Sequence, residues 1–334
     1  MKIQLLIAAE ESDYSEFLSN VLSTKFSDTF AVGICSSKEK LDDILSAKRY
    51  DVVLGESEWM SSFDSKSVKL ILALWSEQSS EILSESIGKV RKYQRISSIV
   101  SDILEHYATV APGLGNLGAG KGRIVAVWSP AGGVGKTSVA LAYATRKVSQ
   151  GMSVTYLDLE HFSGTDAFFA GEGKSISALF EKLSSNAELL VKSVRQRDAG
   201  SGIDYFMPPT NYDDINELTI DDIDLLSDVC ARDCDFLVID LPSLCDKRTK
   251  SVLDLANLIL VVSDGTKTSQ AKLNIFCSQH NVFEDNKHKM RLVNNKAGGG
   301  TDTRFEATIT LPKVQTDDPV SIYKTLSGNN GLDQ

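Results

Sequence analysis

Residues 123–138 read Arg123-Ile124-Val125-Ala126-Val127-Trp128-Ser129-Pro130-Ala131-Gly132-Gly133-Val134-Gly135-Lys136-Thr137-Ser138, and they decide how the rest of the chain is read. The apolar run 124–128 predicts a buried strand. A glycine-rich turn follows, and Lys136 opens a stretch to about Ser149 with helical spacing. Strand, glycine turn, Lys-Thr and helix is the order a phosphate-binding loop requires. Glycines let several backbone N–H groups converge on one anion, and a helix N-terminus adds a favourable dipole. In such a loop Lys136 supplies a point charge for the terminal phosphates, and the Thr137 hydroxyl is offered to Mg²⁺. The strict G-x-x-x-x-G-K-[ST] pattern is not met, because its first glycine falls on Pro130.

Gly132-Gly133-Val134-Gly135-Lys136-Thr137 resembles the deviant phosphate loop of the MinD/ParA family of ATPases, whose usual form is Lys-Gly-Gly-Val-Gly-Lys-Thr. The resemblance implies ATP and Mg²⁺ as cofactors, with 132–138 as the nucleotide cradle and an ATP-linked homodimer. The first lysine of that family reaches into the partner's site. Here that position is Ala131, so the trans-acting charge does not carry over.

Two further stretches fit the same family. Residues 153–159 predict a second strand, ending in Asp158-Leu159-Glu160 where the family has Asp-x-Asp. The resemblance implies catalytic roles for Lys136, Asp158 and Glu160, the acids positioning water or the Mg²⁺ shell. Glu160 is one methylene longer than the family's acid, which predicts slow hydrolysis, and Asp166 is a nearby alternative. Residues 235–242 run Asp-Phe-Leu-Val-Ile-Asp-Leu-Pro, an apolar strand ending in Asp240. A carboxylate at a strand end beside a phosphate loop holds Mg²⁺ directly or through water, so Asp240 joins Thr137 as an expected metal residue. Residues 256–262 predict another buried strand. Residues 290–293 run into Asn294 and Asn295, either of which fits the family's adenine-reading position.

The chain has 334 residues, 42% hydrophobic and 24% charged, with a net charge of −10. That length suggests two domains. The acidic balance counts against a general polyanion binder such as a DNA-partitioning protein. No apolar run reaches a transmembrane length, and residues 1–9 lack a basic region and a cleavage site, which argues for a cytoplasmic protein. The five cysteines, at 35, 230, 234, 245 and 277, read as reduced thiols rather than a metal site.

Residues 2–8, 30–34, 51–54 and 68–74 predict strands. Residues 12–23, 38–47, 77–90 and 94–107 predict helices, giving a doubly wound parallel sheet. This order is similar to a response-regulator receiver domain. Glu10 and Glu11 stand at its acidic pair, Glu56 at its phosphorylated aspartate, Leu74 or Trp75 at its hydroxyl residue, and Lys92 at its lysine. The missing aspartate and hydroxyl imply a pseudo-receiver used for docking or dimerisation, with an unrelated small α/β domain as the alternative. Trp59 and Trp75 read as core.

The expected organisation is a receiver-like domain over 1–109, a Gly-rich linker over 110–122 and an ATPase domain over 123–334. The fold class is therefore α/β, two doubly wound parallel sheets. In the second domain, residues 176–182 and 187–194 predict helices and 205–209 a strand leading to a loop. The acids of 213–228 read as a solvated face. Lys287, His288, Lys289, Arg291 and Lys296 form a basic cluster in sequence, read as solvated. The tail closes with a short helix near Ile322 and lacks the basic amphipathic helix that MinD-like proteins place on membranes.

A receiver-like domain before a MinD/ParA-type domain resembles the arrangement of the TadZ/CpaE pilus-assembly family. That resemblance implies an ATP-binding, slowly hydrolysing, dimerising localisation factor for a Tad-type (type IVb) pilus or secretion machine, at a cell pole, with the machine's proteins as partners. A ParA-like partitioning ATPase and a non-hydrolysing ATP-bound scaffold are the alternatives. A tyrosine kinase is disfavoured by a C-terminus with only Tyr323, and an iron–sulfur ATPase by the cysteine spacing.

Overall fold

A computed structural model gives the architecture. It describes residues 2–27, 29–61, 63, 68–76, 87–110, 121–180, 183, 187–297, 300 and 302–333. The chain divides into two compact units, Met1–Leu117 and Gly118–Gln334. Most of the expected linker, and residues 77–86 of an expected helix, lie outside the described residues.

Unit 1 alternates β1 (Ile3–Ala8), α1 (Ser12–Lys25), β2 (Phe30–Cys35), α2 (Leu41–Ala47), β3 (Val52–Glu56), α3 (Ser57–Met60), β4 (Leu70–Trp75), β5 (Gly88–Arg91) and α4 (Ile96–Val110). Its five strands are parallel in the order β2-β1-β3-β4-β5. This is the flavodoxin-like order, whose ligand crevice lies at the carboxyl ends of β1 and β3. The run Val52, Val53 and Leu54 is fully buried, as a strand covered on both faces must be. Trp59 is core and Trp75 half-buried.

Strand β5 corrects the helix expected to continue to residue 90. Gly88 is pressed between Leu72 and His106, where a β-carbon would collide. The close approach needs glycine, a poor helix former, and pairing with β4 decides the conformation.

Unit 2 begins with β6 (Arg123–Trp128), α5 (Lys136–Ser149) and β7 (Val154–Asp158). It continues through α6 (Ser177–Phe180), α7 (Ala187–Val194), β8 (Arg195–Arg197), β9 (Asp204–Phe206), α8 (Asp213–Glu217), α9 (Ile220–Cys230) and β10 (Phe236–Asp240). The last elements are α10 (Lys247–Leu255), β11 (Leu258–Ser263), α11 (Lys267–Cys277), β12 (Met290–Asn294), β13 (Thr308–Thr310) and α12 (Pro319–Ser327). The eight strands run β13-β12-β11-β6-β10-β7-β9-β8, parallel except for the edge pair β8–β9.

The three central strands β6, β10 and β11 are almost wholly buried, which is why they read as continuous apolar runs. Helix α5 packs Val139, Leu141, Ala142 and Tyr143 into the same core as Val125, Val127 and Val238. Helix α9 starts on a capping box, Thr219 and Asp222 each satisfying the other's backbone N–H. Helices α10 and α11 are absent from the sequence reading. Each buries few apolar side chains, Val252 and Leu253 in one and Leu273 and Phe276 in the other, too few for a clear period.

Candidate nucleotide site

Strands β6, β7, β10 and β12 all end on one edge of the sheet, and the predicted site residues gather there. Between β6 and α5 the chain turns through Gly133 (φ 74°) and Gly135 (φ 93°), conformations that favour glycine. The space a β-carbon would fill at Gly132 and Gly133 is open. No side chain caps α5, so its first N–H groups keep their capacity to bind an anion.

Lys136 is buried, with its ammonium 3.1 Å from Glu160 Oε1 and donating to Ser243 Oγ at 3.1 Å. Ser243 in turn donates to the Ala131 carbonyl at 3.1 Å. Ala131 is itself buried, and its N–H donates to Ser129 Oγ at 3.1 Å. The lysine of the loop is therefore already engaged by the segment after β7 and the segment after β10.

Asp240 lies beside Asp158 across the β10–β7 pair, Asp240↔Asp158 in register. It is fully buried. Tyr156 Oη donates to its Oδ2 at 3.1 Å, while its Oδ1 has no hydrogen-bond partner. Burial, then the charge of Asp158, pushes the Asp240 carboxyl up, against the opposing pull of Thr137 and Lys136. Burial also raises Asp158, and the neighbouring Glu160 adds to it. Glu160 and Asp240 thus share one ammonium, with Asp158 adding negative charge beside Asp240. An orphaned carboxylate oxygen beside a hydroxyl-bearing loop is what a divalent cation would satisfy. Among the described residues no cluster of three or more His, Cys, Asp or Glu forms a metal cage. Mg²⁺ needs none, since it keeps waters and takes one or two carboxylates plus phosphate oxygens. Asp240 and Thr137 fit that pattern.

Asp158 has a second occupation. Its Oδ1 accepts the Glu160 N–H at 2.9 Å, and its Oδ2 accepts Ser163 Oγ at 2.6 Å. It shapes the loop after β7, whereas Glu160 is the acid that reaches Lys136.

The two asparagines after β12 separate. Asn295 is buried against the loop, its Nδ2 donating to the Val134 carbonyl at 2.8 Å and its Oδ1 accepting the Lys296 N–H at 2.9 Å. Asn294 donates to the Gly300 carbonyl at 2.7 Å, and its buried Oδ1 has no partner. Asn295 is thus spent on the phosphate loop, and Asn294 keeps an acceptor.

The basic cluster seen in sequence also divides. Lys296 has φ 57° and donates from Nζ to the Gly133 carbonyl at 3.2 Å, at the loop edge of the sheet. Lys287, His288, Lys289 and Arg291 precede or open β12, at its opposite end. A five-residue strand separates the two groups, which linear proximity concealed.

Sequence reasoning missed Tyr156, Ser243 and Lys296. The period-2 alternation of β7 puts Tyr156 on the face of Asp158, and that signal was available. Ser243 and Lys296 reach the loop through chain reversals that no local pattern announces.

No protein-family model and no curated protein matches the sequence. Among solved structures, the ParA family ATPase from Chlorobium tepidum TLS is similar at 17% identity, over 64% of this chain and 96% of that one, with a TM-score of 0.51. A plasmid partition protein from Borrelia burgdorferi is similar at 18% identity over 63% and 97% of the two chains, with a TM-score of 0.48. The Pyrococcus furiosus cell division ATPase MinD is similar at 13% identity over 62% and 97%, with a TM-score of 0.46. The first of these shows a shared fold. Among the described residues no helix is long and apolar enough to cross a membrane.

Proposed function

We propose that this chain binds Mg²⁺-ATP at the loop 130–138 and acts as a nucleotide-responsive, slowly hydrolysing homodimeric localisation factor. The observation that carries the reading is buried Lys136 and Asp240 with half-buried Glu160 around an uncapped glycine loop, with Asp240 Oδ1 unpartnered. Bound Mg²⁺-ATP supplies a transferable terminal phosphate and the counter-charge for the acids. Asp240 and Thr137 would hold the cation, the loop N–H groups and Lys136 the phosphates, and the unpartnered Asn294 Oδ1 would be the acceptor offered to the adenine amine. A phosphate at the loop would compete with Glu160 for Lys136, and a freed Glu160 could orient water and carry the loop after β7 with it. Exposed Phe162 and Tyr212, stacked with centroids 5.9 Å apart, flank that loop and offer a docking surface that follows nucleotide state.

The finer reading is a TadZ/CpaE-type role at a Tad pilus or secretion machine, at a cell pole in the cytoplasm. It rests on a flavodoxin-ordered unit preceding a ParA-like one, with residues 1–109 as a pseudo-receiver joined by 110–122 to an ATPase domain at 123–334. In unit 1, Lys92 Nζ lies 2.8 Å from Glu11 and 3.3 Å from Glu56, at the crevice where a receiver would be phosphorylated. Glu56 there gives Lys92 a permanent anion, which supports a docking unit that does not switch.

A non-hydrolysing scaffold is the second reading, favoured by Ala131 at the position of the trans-acting lysine and by its burial. Light scattering of the full chain without nucleotide, with Mg²⁺-ADP and with Mg²⁺-ATP tests the proposal. A dimer that forms only with ATP supports the switch, a dimer in every state supports the scaffold, and a monomer in every state refutes both.

A further inference from the structure

At the opposite edge of the unit 2 sheet, where β6, β11 and β12 begin, lies an open basin of about 490 Å³. Arg123, His288, Lys289 and Arg291 line it, with Asp254 and Asn257. The volume is within the range of about 300–1,000 Å³ typical of small-molecule sites.

The walls are built rather than incidental. Asn257 Oδ1 accepts the Ile124 N–H at 2.8 Å, and its own N–H donates to the Ile124 carbonyl at 2.8 Å, fixing the floor to β6. The Asp254 carboxylate is spoken for, Oδ2 by Lys250 at 2.6 Å and Oδ1 by Asn286 at 2.9 Å. Its charge is shared between Lys250 and Lys289. Lys289 donates to the Asp254 backbone carbonyl at 2.7 Å. Arg123 lies with its guanidinium over the Phe236 ring, centroid 5.9 Å away, and has no carboxylate partner among the described residues. Arg291 pairs at 2.6 Å with Glu306, whose side chain is 60% exposed and free to yield to a competing anion. Burial, with a smaller push from Lys250, lowers the Lys289 ammonium, against the opposing pull of the Asp254 carboxylate.

In a chain of net charge −10, three cations gathered around one concavity, Arg123 of them with no carboxylate partner among the described residues, form a local field of opposite sign. Two guanidiniums and an ammonium match the several oxygens of a phosphate better than one planar carboxylate. We propose that this basin binds a small multivalent phosphate compound, at a site separate from the glycine loop. The six residues of β6 place the two sites roughly 20 Å apart.

The test is calorimetric titration of the full-length Lys136→Ala chain with inorganic pyrophosphate in Mg²⁺-free buffer, so that the glycine loop is disabled. Saturable binding is expected. Adding Arg123→Gln or Lys289→Gln should each weaken it about tenfold or more, the loss of one charge-assisted contact. Adding Lys25→Gln in unit 1, an equal change in net charge, should leave it unaltered. Circular dichroism checks that each variant is folded, and Arg123→Lys, which keeps the charge, should retain most of the affinity. No binding to Lys136→Ala, or equal binding by the Arg123→Gln and Lys289→Gln variants, would overturn the proposal.

Discussion

Replacing Gly135 by Ala tests how the phosphate loop is held. Gly135 has φ 93° and ψ 34°, and an added β-carbon would overlap the Asn295 side-chain amide. The left-handed backbone costs an alanine about 1–2 kcal/mol. Displacing Asn295 strands the buried Val134 carbonyl, at about 1–3 kcal/mol. The single substitution should therefore destabilise unit 2 by about 2–5 kcal/mol. Asn295→Ala alone loses the same amide bond and should cost about 1–3 kcal/mol. The two effects share one contact, so the double variant should be about as stable as Gly135→Ala alone. Trp128 ends β6 just before the loop, with its ring 4.8 Å from that of Phe276. With Trp59 and Trp75 changed to Phe it is the sole remaining tryptophan, and its fluorescence follows urea unfolding of unit 2. Additive costs in this cycle would show that Asn295 does not brace the loop.

Three other substitutions probe the remaining charges. Burial and Asp158 raise Asp240 in the folded state, so its proton is held more tightly there than in the unfolded chain. Nucleotide-free unit 2 should lose stability as pH climbs above about 4 toward the raised folded value. Asp240→Asn should consequently be more stable than the parent at pH 8, with the gap closing at pH 5, in Trp128-monitored urea titrations. An unchanged gap would contradict the assignment. Glu160→Ala releases Lys136 from its 3.1 Å pair, and should keep or raise ATP affinity while lowering phosphate release in a coupled assay. In unit 1, burial opposes the charge of Lys92, but Glu11 and Glu56 override it and hold the ammonium well up. Lys92→Met should cost about 1–2 kcal/mol, discounted because Glu11 is half exposed, as read from the Trp59 and Trp75 unfolding signal.

The sequence disclosed what is local. Strand, glycine turn and helix over 123–149 follow from apolar spacing and from the backbone freedom of Gly133 and Gly135. Asp240 was visible because a buried strand ending in an acid is costly without a use for the charge. The partners of the loop were not visible. Asn295 sits 161 residues after Val134, and its contact depends on β12 emerging at the right edge of the sheet. Strand β8, three residues long, is too short for a period-2 signal. The division of Lys296 from Lys287, His288, Lys289 and Arg291 illustrates the same limit. A strand carries neighbours in sequence to opposite ends of a sheet.

The central claim is that the glycine loop with Lys136 is an ATP site. Equilibrium dialysis of Mg²⁺-ATP against the parent chain and Lys136→Ala tests it most directly. Lys136 contributes a charge-assisted contact in a buried setting, so its loss should weaken binding by about tenfold to a hundredfold or more. Saturable binding by the parent with that loss in the variant is the predicted result. Equal affinity in the two proteins, or none in the parent, would contradict the account.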